Sequence, residues 1–272
     1  MPSHDTFTRV LRLLDPVEFQ RCFLEWRQAV ATVTAGEVVA IDGKTLRRSF
    51  AKGTSKRAIH MVSAWASETG VVLGQRKVDT KSNEITALPE LLELLLLKGC
   101  IVTIDAMGCQ RAIAETILEQ GADYVLALKG NQPTLEQAVE RFFLTSPEAE
   151  GNRTQSDYFE QTERGHGREE RRRVWISANL AGELAAAAWP GLRSIGLVEA
   201  TRLVGGKTAI EQRFYLSSLP PDAEQFARAV RKHWGVENQL HWSLDVTFRE
   251  DQSRLRTGHG AENFAVLRHI AL

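Results

Sequence analysis

Three carboxylates stand where they could do chemistry together. Asp42 follows the apolar run VVAI, Asp105 follows CIVTI, and Glu237 lies in RKHWGVENQLHW towards the C-terminus. Carboxylates gathered within about 5 Å repel by roughly 3 kcal/mol per pair at an effective dielectric near 20, so a fold gains nothing structurally by assembling them. A divalent cation reverses the sign, and hard oxygen ligands suit Mg²⁺ or Mn²⁺. Two such ions about 4 Å apart can activate an attacking hydroxyl and stabilise the leaving oxygen of an in-line phosphoryl displacement. In that arrangement Asp42 bridges both ions, and Asp105 and Glu237 each complete one. The chemistry needs no activated side-chain nucleophile, and the sequence offers neither a nucleophile elbow nor a Gly-rich phosphate loop. Each acid also has a plainer use. Asp42-Gly43 is a turn dipeptide, Asp105 can cap the helix after it, and a helical glutamate is commonly solvated. Asp245, Glu250 and Asp251 are further acids near Glu237, and spacing alone does not choose among the four.

The elements that would position these acids read as follows. Residues 1–35 carry Phe7, Val10, Leu11 and Leu14, then Phe19, Cys22, Phe23 and Trp26, at helical spacing. Asp15 and Pro16 form an N-cap and first-turn pair between the two helices. From Glu37 the pattern changes to three short β-branched runs, EVVAIDGK, AIHMVSAWAS and GVVLGQRKV, a meander of strands. A helix over KSNEITALPELLELLLLKG, capped by Ser82 or Asn83, precedes the strand CIVTIDA. Then come the helix QRAIAETILEQG ending at Gly121, the strand DYVLALKG and the helix PTLEQAVERFF. This order predicts an α/β fold with a mixed sheet flanked by helices, the order of an RNase H-like core. In it the first and fourth strands end side by side, next to a late helix. The division expected is a helical segment at 1–35, the first part of the core at 36–146, a β-rich insertion at 147–221 and the last part of the core at 222–272. The insertion would hold the strands RTQSDYFEQTE, REERRRVWIS, LRSIGLVEATRLVG and AIEQRFYLSSL. The helical pattern returns after it with AEQFARAVRKHWGVENQLHWSLD.

Lys+Arg and Asp+Glu both number 34, so no global basic excess announces a nucleic-acid partner. The cations are nonetheless clustered. Lys44, Arg47, Arg48, Lys52, Lys56 and Arg57 have no acid between them, and ERGHGREERRR at 163–173 reads as a mobile arm or hairpin tip. Arg171, Arg172 and Arg173 there, with Lys44, Arg47 and Arg48, are candidate phosphate contacts. Lys129, Asn131 and Gln132 end the fifth strand and are candidate phosphate or base contacts, with KGN as a turn the alternative. Arg231, Lys232 and Asn238 join this set. His233, Glu237 and His241 recur at steps of four and share one helical face; zinc ligation, DNA contact and packing are the readings open to them. Trp65, Trp175 and Trp234 read as core or interface. Three cysteines give no disulfide framework or zinc spacing, and no apolar run is long enough to span a bilayer. A soluble cytoplasmic protein is expected.

The stretches AIDGKTLRRSF, KVDTKSNEITALPELLELLLLKGCIVTIDAMGCQ, GADYVLALKGNQ, GHGREERRRVW and RKHWGVENQLHWSLDVTFREDQSR lie in one order across nearly the whole chain. Through them the sequence resembles the insertion-sequence transposases that include the H-repeat-associated proteins, a branch of the DDE transposases. The resemblance implies an RNase H-like fold with a β-rich insertion before the last catalytic helix. It selects Asp42, Asp105 and Glu237 as the triad holding two Mg²⁺ or Mn²⁺ ions. It implies metal-dependent strand cleavage and strand transfer on element ends and target DNA by a homo-oligomer associated with the nucleoid. It also implies a chain truncated at both ends, with a non-catalytic DNA-binding remnant as the alternative function.

Overall fold

A computed structural model describes residues 2–30, 34–50, 58–78, 84–165, 168–180, 184 and 187–272. Ser82, Asn83, Lys52, Lys56 and Arg57 lie outside the described residues. The chain forms two compact units, 1–100 with 232–272, and 101–231. Among the described residues no helix is long and apolar enough to cross a membrane.

The first unit opens with α1 (His4–Leu13) and α2 (Pro16–Val30). The Asp15 carboxylate accepts from the backbone N–H of Val17 at 2.8 Å and of Glu18 at 3.2 Å, so the expected cap is formed with Pro16 in the first turn. Of the apolar residues spaced along these helices only Leu11 and Phe23 are fully buried, while Phe7, Val10 and Trp26 face solvent. Then β1 (Val38–Leu46), β2 (Ile59–Ala66) and β3 (Val71–Val78) form the expected antiparallel meander, in the order β3-β2-β1. Helix α3 (Glu84–Glu93) is shorter than its apolar run predicts, ending before the leucines at 94–97.

After residue 232 the same unit contains a π-helical turn (Val236–His241), α8 (Trp242–Val246), a 3-10 turn (Glu250–Gln252) and α9 (Gly260–Ile270). Val236, Leu240 and Leu244, each one turn apart, pack with Ala40, Trp65, Val72, Phe23 and Val266 into one core. The helical pattern expected here is present, but i→i+5 bonding widens its turn at Val236–His241.

In the second unit β4 (Ile101–Ile104) and β5 (Asp123–Leu128) pair in parallel, joined through α4 (Arg111–Glu119). Gly121 ends that helix with φ 71°, as its position predicts. After α5 (Pro133–Glu140) and α6 (Ala149–Gln155) come β6 (Asp157–Gly165), β7 (Arg168–Ser177), β8 (Ser194–Val204) and β9 (Lys207–Ser217). The stretch RTQ, expected as strand, belongs to α6. The strand order is β4-β5-β9-β8-β7-β6, and β9 pairs antiparallel with β5, so the late strands extend one mixed sheet. Helix α7 (Ala223–His233) follows them.

Gly196 of β8 lies under the Phe226 ring of α7, which also meets Tyr215 edge-on at 5.5 Å. A Cβ at 196 would fall inside the contact distance of that ring, and Phe226 is fully buried. Gly196→Ala should therefore destabilise the chain by about 1–3 kcal/mol, read as a lower urea midpoint at unchanged m-value. An unaltered midpoint would show that Phe226 repacks freely.

Candidate active site

β1 runs unbroken through Asp42 and Gly43, which lie opposite Ser63 and Val62 of β2. The turn reading of Asp-Gly is thus overturned: a tight hairpin turn needs φ > 0, and Gly43 is not among the positive-φ glycines. Asp42 sits inside a strand rather than at its end. Alternation puts Asp42 and Lys44 on one face of β1. The Asp42 carboxylate lies 3.7 Å from His241 Nδ1, both side chains being largely covered. Burial first, then the Lys44 charge and His60, pushes His241 down to about 4 despite Asp245. The imidazole is therefore neutral at pH 7 and brings no compensating charge to Asp42.

Lys44, read from sequence as a phosphate contact, is only 11% exposed. Its Nζ lies 2.8 Å from Asp245, 3.3 Å from Asp251 and 3.5 Å from Glu250. Burial pulls the ammonium pKa down. The Asp245 hydrogen bond and the charges of Glu250, Asp245 and Asp251 outweigh it, leaving the pKa raised. Arg47, itself exposed, pairs with Asp251 at 3.1 Å. Glu250, 2% exposed, also binds buried Arg268 at 3.1 Å; burial raises its pKa, against Lys44 and Arg268. Of the four acids left open by spacing, three are thus neutralised by cations of this unit. Glu237 is exposed, and among the described residues its carboxylate has no hydrogen-bond or ion-pair partner. Its neighbour Asn238 is exposed too. Sequence carried no signal for Arg268 or for buried His269, whose places follow only from packing. Arg48 is exposed, and its carbonyl accepts from Arg256 Nε at 3.0 Å.

In the second unit Asp105 directly follows β4 and is exposed. It does act as a cap, but of a 3-10 turn at Ala106–Gly108, accepting from the Met107 N–H at 3.0 Å. Asn131 and Gln132 hold that turn. The Asn131 amide donates to the carbonyls of Ala106 and Cys109, and the Gln132 amide donates to Cys109 at 3.1 Å. Lys129 beside them is exposed.

Of the two readings of the basic stretch, the hairpin holds and the mobile arm does not: β6 and β7 pair antiparallel up to Gly165 and Arg168. Arg168–Ser177 is strand β7, paired along its length with β6 and β8; His166 and Gly167 lie outside the described residues. Arg171 forks onto Glu160 at 2.8 and 2.7 Å, Arg172 meets Glu170 at 2.7 Å and Glu163 at 3.1 Å, and Arg173 pairs with Glu199 directly across the sheet. Arg231 pairs with Glu163 at 3.3 Å, and in the first unit Lys232 pairs with Glu68 at 3.0 Å. Trp65 is core, whereas Trp175 is half-buried beneath the Arg173 guanidinium. Trp234, also half-buried, meets His233 edge-on at 6.3 Å.

For a divalent ion the donor chemistry is right, since Asp42, Asp105 and Glu237 offer hard carboxylate oxygens, two of them on exposed side chains. Among the described residues no group of three or more His, Cys, Asp or Glu is gathered to hold a metal ion.

Two measurements follow. His269 is pushed down to about 3, by burial first and then by His241, Arg268 and Lys44. An unfolded histidine titrates near 6.5, so between those values the unfolded chain binds more protons and stability falls as pH drops from about 6.5 towards 3. His269→Leu should flatten the Tm–pH curve across that window; parallel curves would contradict the assignment. Asn131→Ala should speed hydrogen exchange at the Met107 amide by up to about tenfold, the worth of a lost hydrogen bond, with little change in Tm. Unchanged exchange would mean that the Asp105 turn holds itself.

Residues 34–272 match the family described as Transposase DDE domain. The "H repeat-associated putative transposase YhhI" of Escherichia coli (strain K12) is 44% identical over 278 residues, covering 100% of this chain and 72% of that protein. The "Putative transposase YncI" of Escherichia coli O157:H7 is 46% identical over 277 residues, covering 100% of this chain and 70% of that protein. Among solved structures, a piggyBac transposase synaptic complex with hairpin DNA matches at TM-score 0.44 and 12% identity, over 98% of this chain and 55% of that one. The chain belongs to the DDE transposase family, in the company of the H-repeat-associated proteins.

Proposed function

We propose that this chain cleaves and joins DNA strands as the catalytic core of an insertion-sequence transposase, with Asp42, Asp105 and Glu237 as its metal-binding carboxylates. The observation that carries the reading is the sorting of the acids near the C-terminus. Asp245, Glu250 and Asp251 are neutralised by Lys44, Arg47 and Arg268, and Glu237 faces solvent with no partner for its carboxylate among the described residues. An uncompensated carboxylate at a protein surface is available to a cation. The fold we assign is RNase H-like, with 147–221 as a β-rich insertion into its core. The meander β1–β3 and the helix-linked parallel pair β4–β5 support that order.

Mg²⁺ or Mn²⁺, when bound, supplies the Lewis acidity that in-line phosphoryl displacement requires. The protein's own contribution is electrostatic and geometric. Neutral His241 adds no positive charge beside Asp42, and Asn131 and Gln132 fix the turn that presents Asp105. DNA ends and target would be held by exposed cations. Arg48 and Lys129 are exposed, while Arg231 and Lys232 spend their charge only in surface pairs worth about 0–1 kcal/mol, which phosphate can displace. The same exchange applies to Arg171, whose partner Glu160 is also on the surface. Action on paired ends by a homo-oligomer is part of this proposal.

The test is Mn²⁺-dependent nicking of DNA carrying the element's flanking ends by the wild type and by Asp105→Asn. Wild-type cleavage reduced at least about a hundredfold in the variant is expected, since removal of a metal ligand removes transition-state stabilisation directly. Equal cleavage by both proteins would sink the assignment of Asp105. No cleavage by a folded wild type that binds Mn²⁺ would sink the catalytic reading.

A further inference from the structure

The apolar packing of the segment that carries Glu237 does not by itself fix where along β1 that segment lies. Val236, Leu240 and Leu244 repeat every four residues. A slip of one turn would replace each leucine or valine by the next, leaving apolar on apolar, because hydrophobic burial is not directional. Two polar contacts on the same face of β1 do distinguish the registers. Asp42 lies 3.7 Å from His241, and Lys44 lies 2.8 Å from Asp245. The spacings match: two residues of strand advance about 6.7 Å and four residues of helix about 6 Å, so the contacts stand as successive rungs. Glu237 is one turn before His241 on this ladder. A one-turn slip would displace it by about 5.4 Å relative to Asp42.

The lower rung is much the stronger. The His241 contact is too long for a hydrogen bond, whereas Lys44, 11% exposed, and Asp245, 38% exposed, form a charged hydrogen bond at 2.8 Å. Glu250 and Asp251 surround the same ammonium, so a slipped segment would leave Lys44 buried without its closest partner. Register specification is the best-attested use of a buried polar pair. We propose that Lys44 is a positioning residue: its pair with Asp245 sets the register of the Glu237-bearing segment on β1, and thereby the separation of Glu237 from Asp42. Its relevance to catalysis rests on the reading of Asp42 and Glu237 as metal carboxylates; the register itself does not.

The experiment measures register directly. Spin labels are placed at Thr69→Cys, in the exposed turn after β2, and at Val246→Cys on α8, in a Cys22→Ser background of the full chain. Their separation is read by pulsed electron paramagnetic resonance. The parent should give one narrow distance. Lys44→Met should shift or broaden it by about 5 Å, one helical turn. Lys44→Arg, which keeps a cation beside Asp245, Glu250 and Asp251, should keep the parent distance. Arg268→Met, which strips the same buried Glu250 of a cation without touching Asp245, should lower stability and leave the distance unchanged. If Lys44→Met does not fold, Asp245→Asn, which leaves Lys44 its pairs with Glu250 and Asp251, carries the test and should shift the distance, while Lys44→Arg keeps it.

Mn²⁺ binding by the unlabelled proteins is measured alongside. A fall of about 10–100-fold in Lys44→Met, absent in Lys44→Arg, is the size of effect expected of a residue that orients metal ligands. An unchanged distance in Lys44→Met overturns the proposal, as does a distance that shifts equally in Arg268→Met. A shifted distance with undiminished Mn²⁺ affinity overturns the link to the carboxylates. A parent that binds no Mn²⁺ but shows the predicted distances supports the register role and counts against the metal reading of the previous subsection.

Discussion

An ammonium taken out of water must be surrounded by carboxylates or give up its proton, and the first unit is arranged around that requirement at Lys44. Satisfying it draws Asp245, Glu250 and Asp251 together from two successive turns of the C-terminal segment, and Glu250 then brings in Arg268 from α9. One buried cation thus ties the middle of β1 to three elements that follow it by some 200 residues in sequence. Breaking a buried pair costs about 3–5 kcal/mol, mostly because the remaining charge is stranded. The left-handed backbone at Arg249, φ 49°, is the local cost of turning the chain so that Glu250 can reach inward.

The second unit handles charge differently. Its arginines are dense in sequence yet spread in space, because neighbouring positions on β7 face opposite sides of the sheet. Glu170 lies opposite Arg202, and Glu199 lies opposite Arg173, so cross-strand geometry supplies each cation with an acid. The neutral overall charge of the chain is therefore reproduced locally. Any attraction for a polyanion has to come from residues whose pairs are superficial, rather than from a basic surface as such.

Strands and helix order were legible because alternation and β-branched runs report burial directly: VVAI, MVSAWA and YVL are each buried where they were expected to be. What escaped were features decided by distant partners. Asp42-Gly43 looks like a turn in isolation, and only pairing with Val62 and Ser63 keeps it extended. The π turn at Val236–His241 buries the same side chains that an α-helix would, so its sequence is silent about the wider winding. Glu237 could not be separated from Asp245, Glu250 and Asp251 by spacing, since what separates them is the location of Lys44. ERGHGREERRR advertises charge but not the acids across the sheet that cancel it, and the amides of Asn131 and Gln132 gave no hint that Cys109 was their acceptor.

The sheet of the second unit ends at β6, and that outermost strand is exposed for most of its length and carries Asp157, Glu160, Glu163 and Arg164. An open strand edge is a template on which another chain can extend the hydrogen-bond ladder. Here any incoming strand would have to lie against a row of carboxylates and their guanidinium partners, desolvating them without replacement. The edge therefore disfavours fibrillar self-addition at β6, in a protein with no net charge to keep its copies apart.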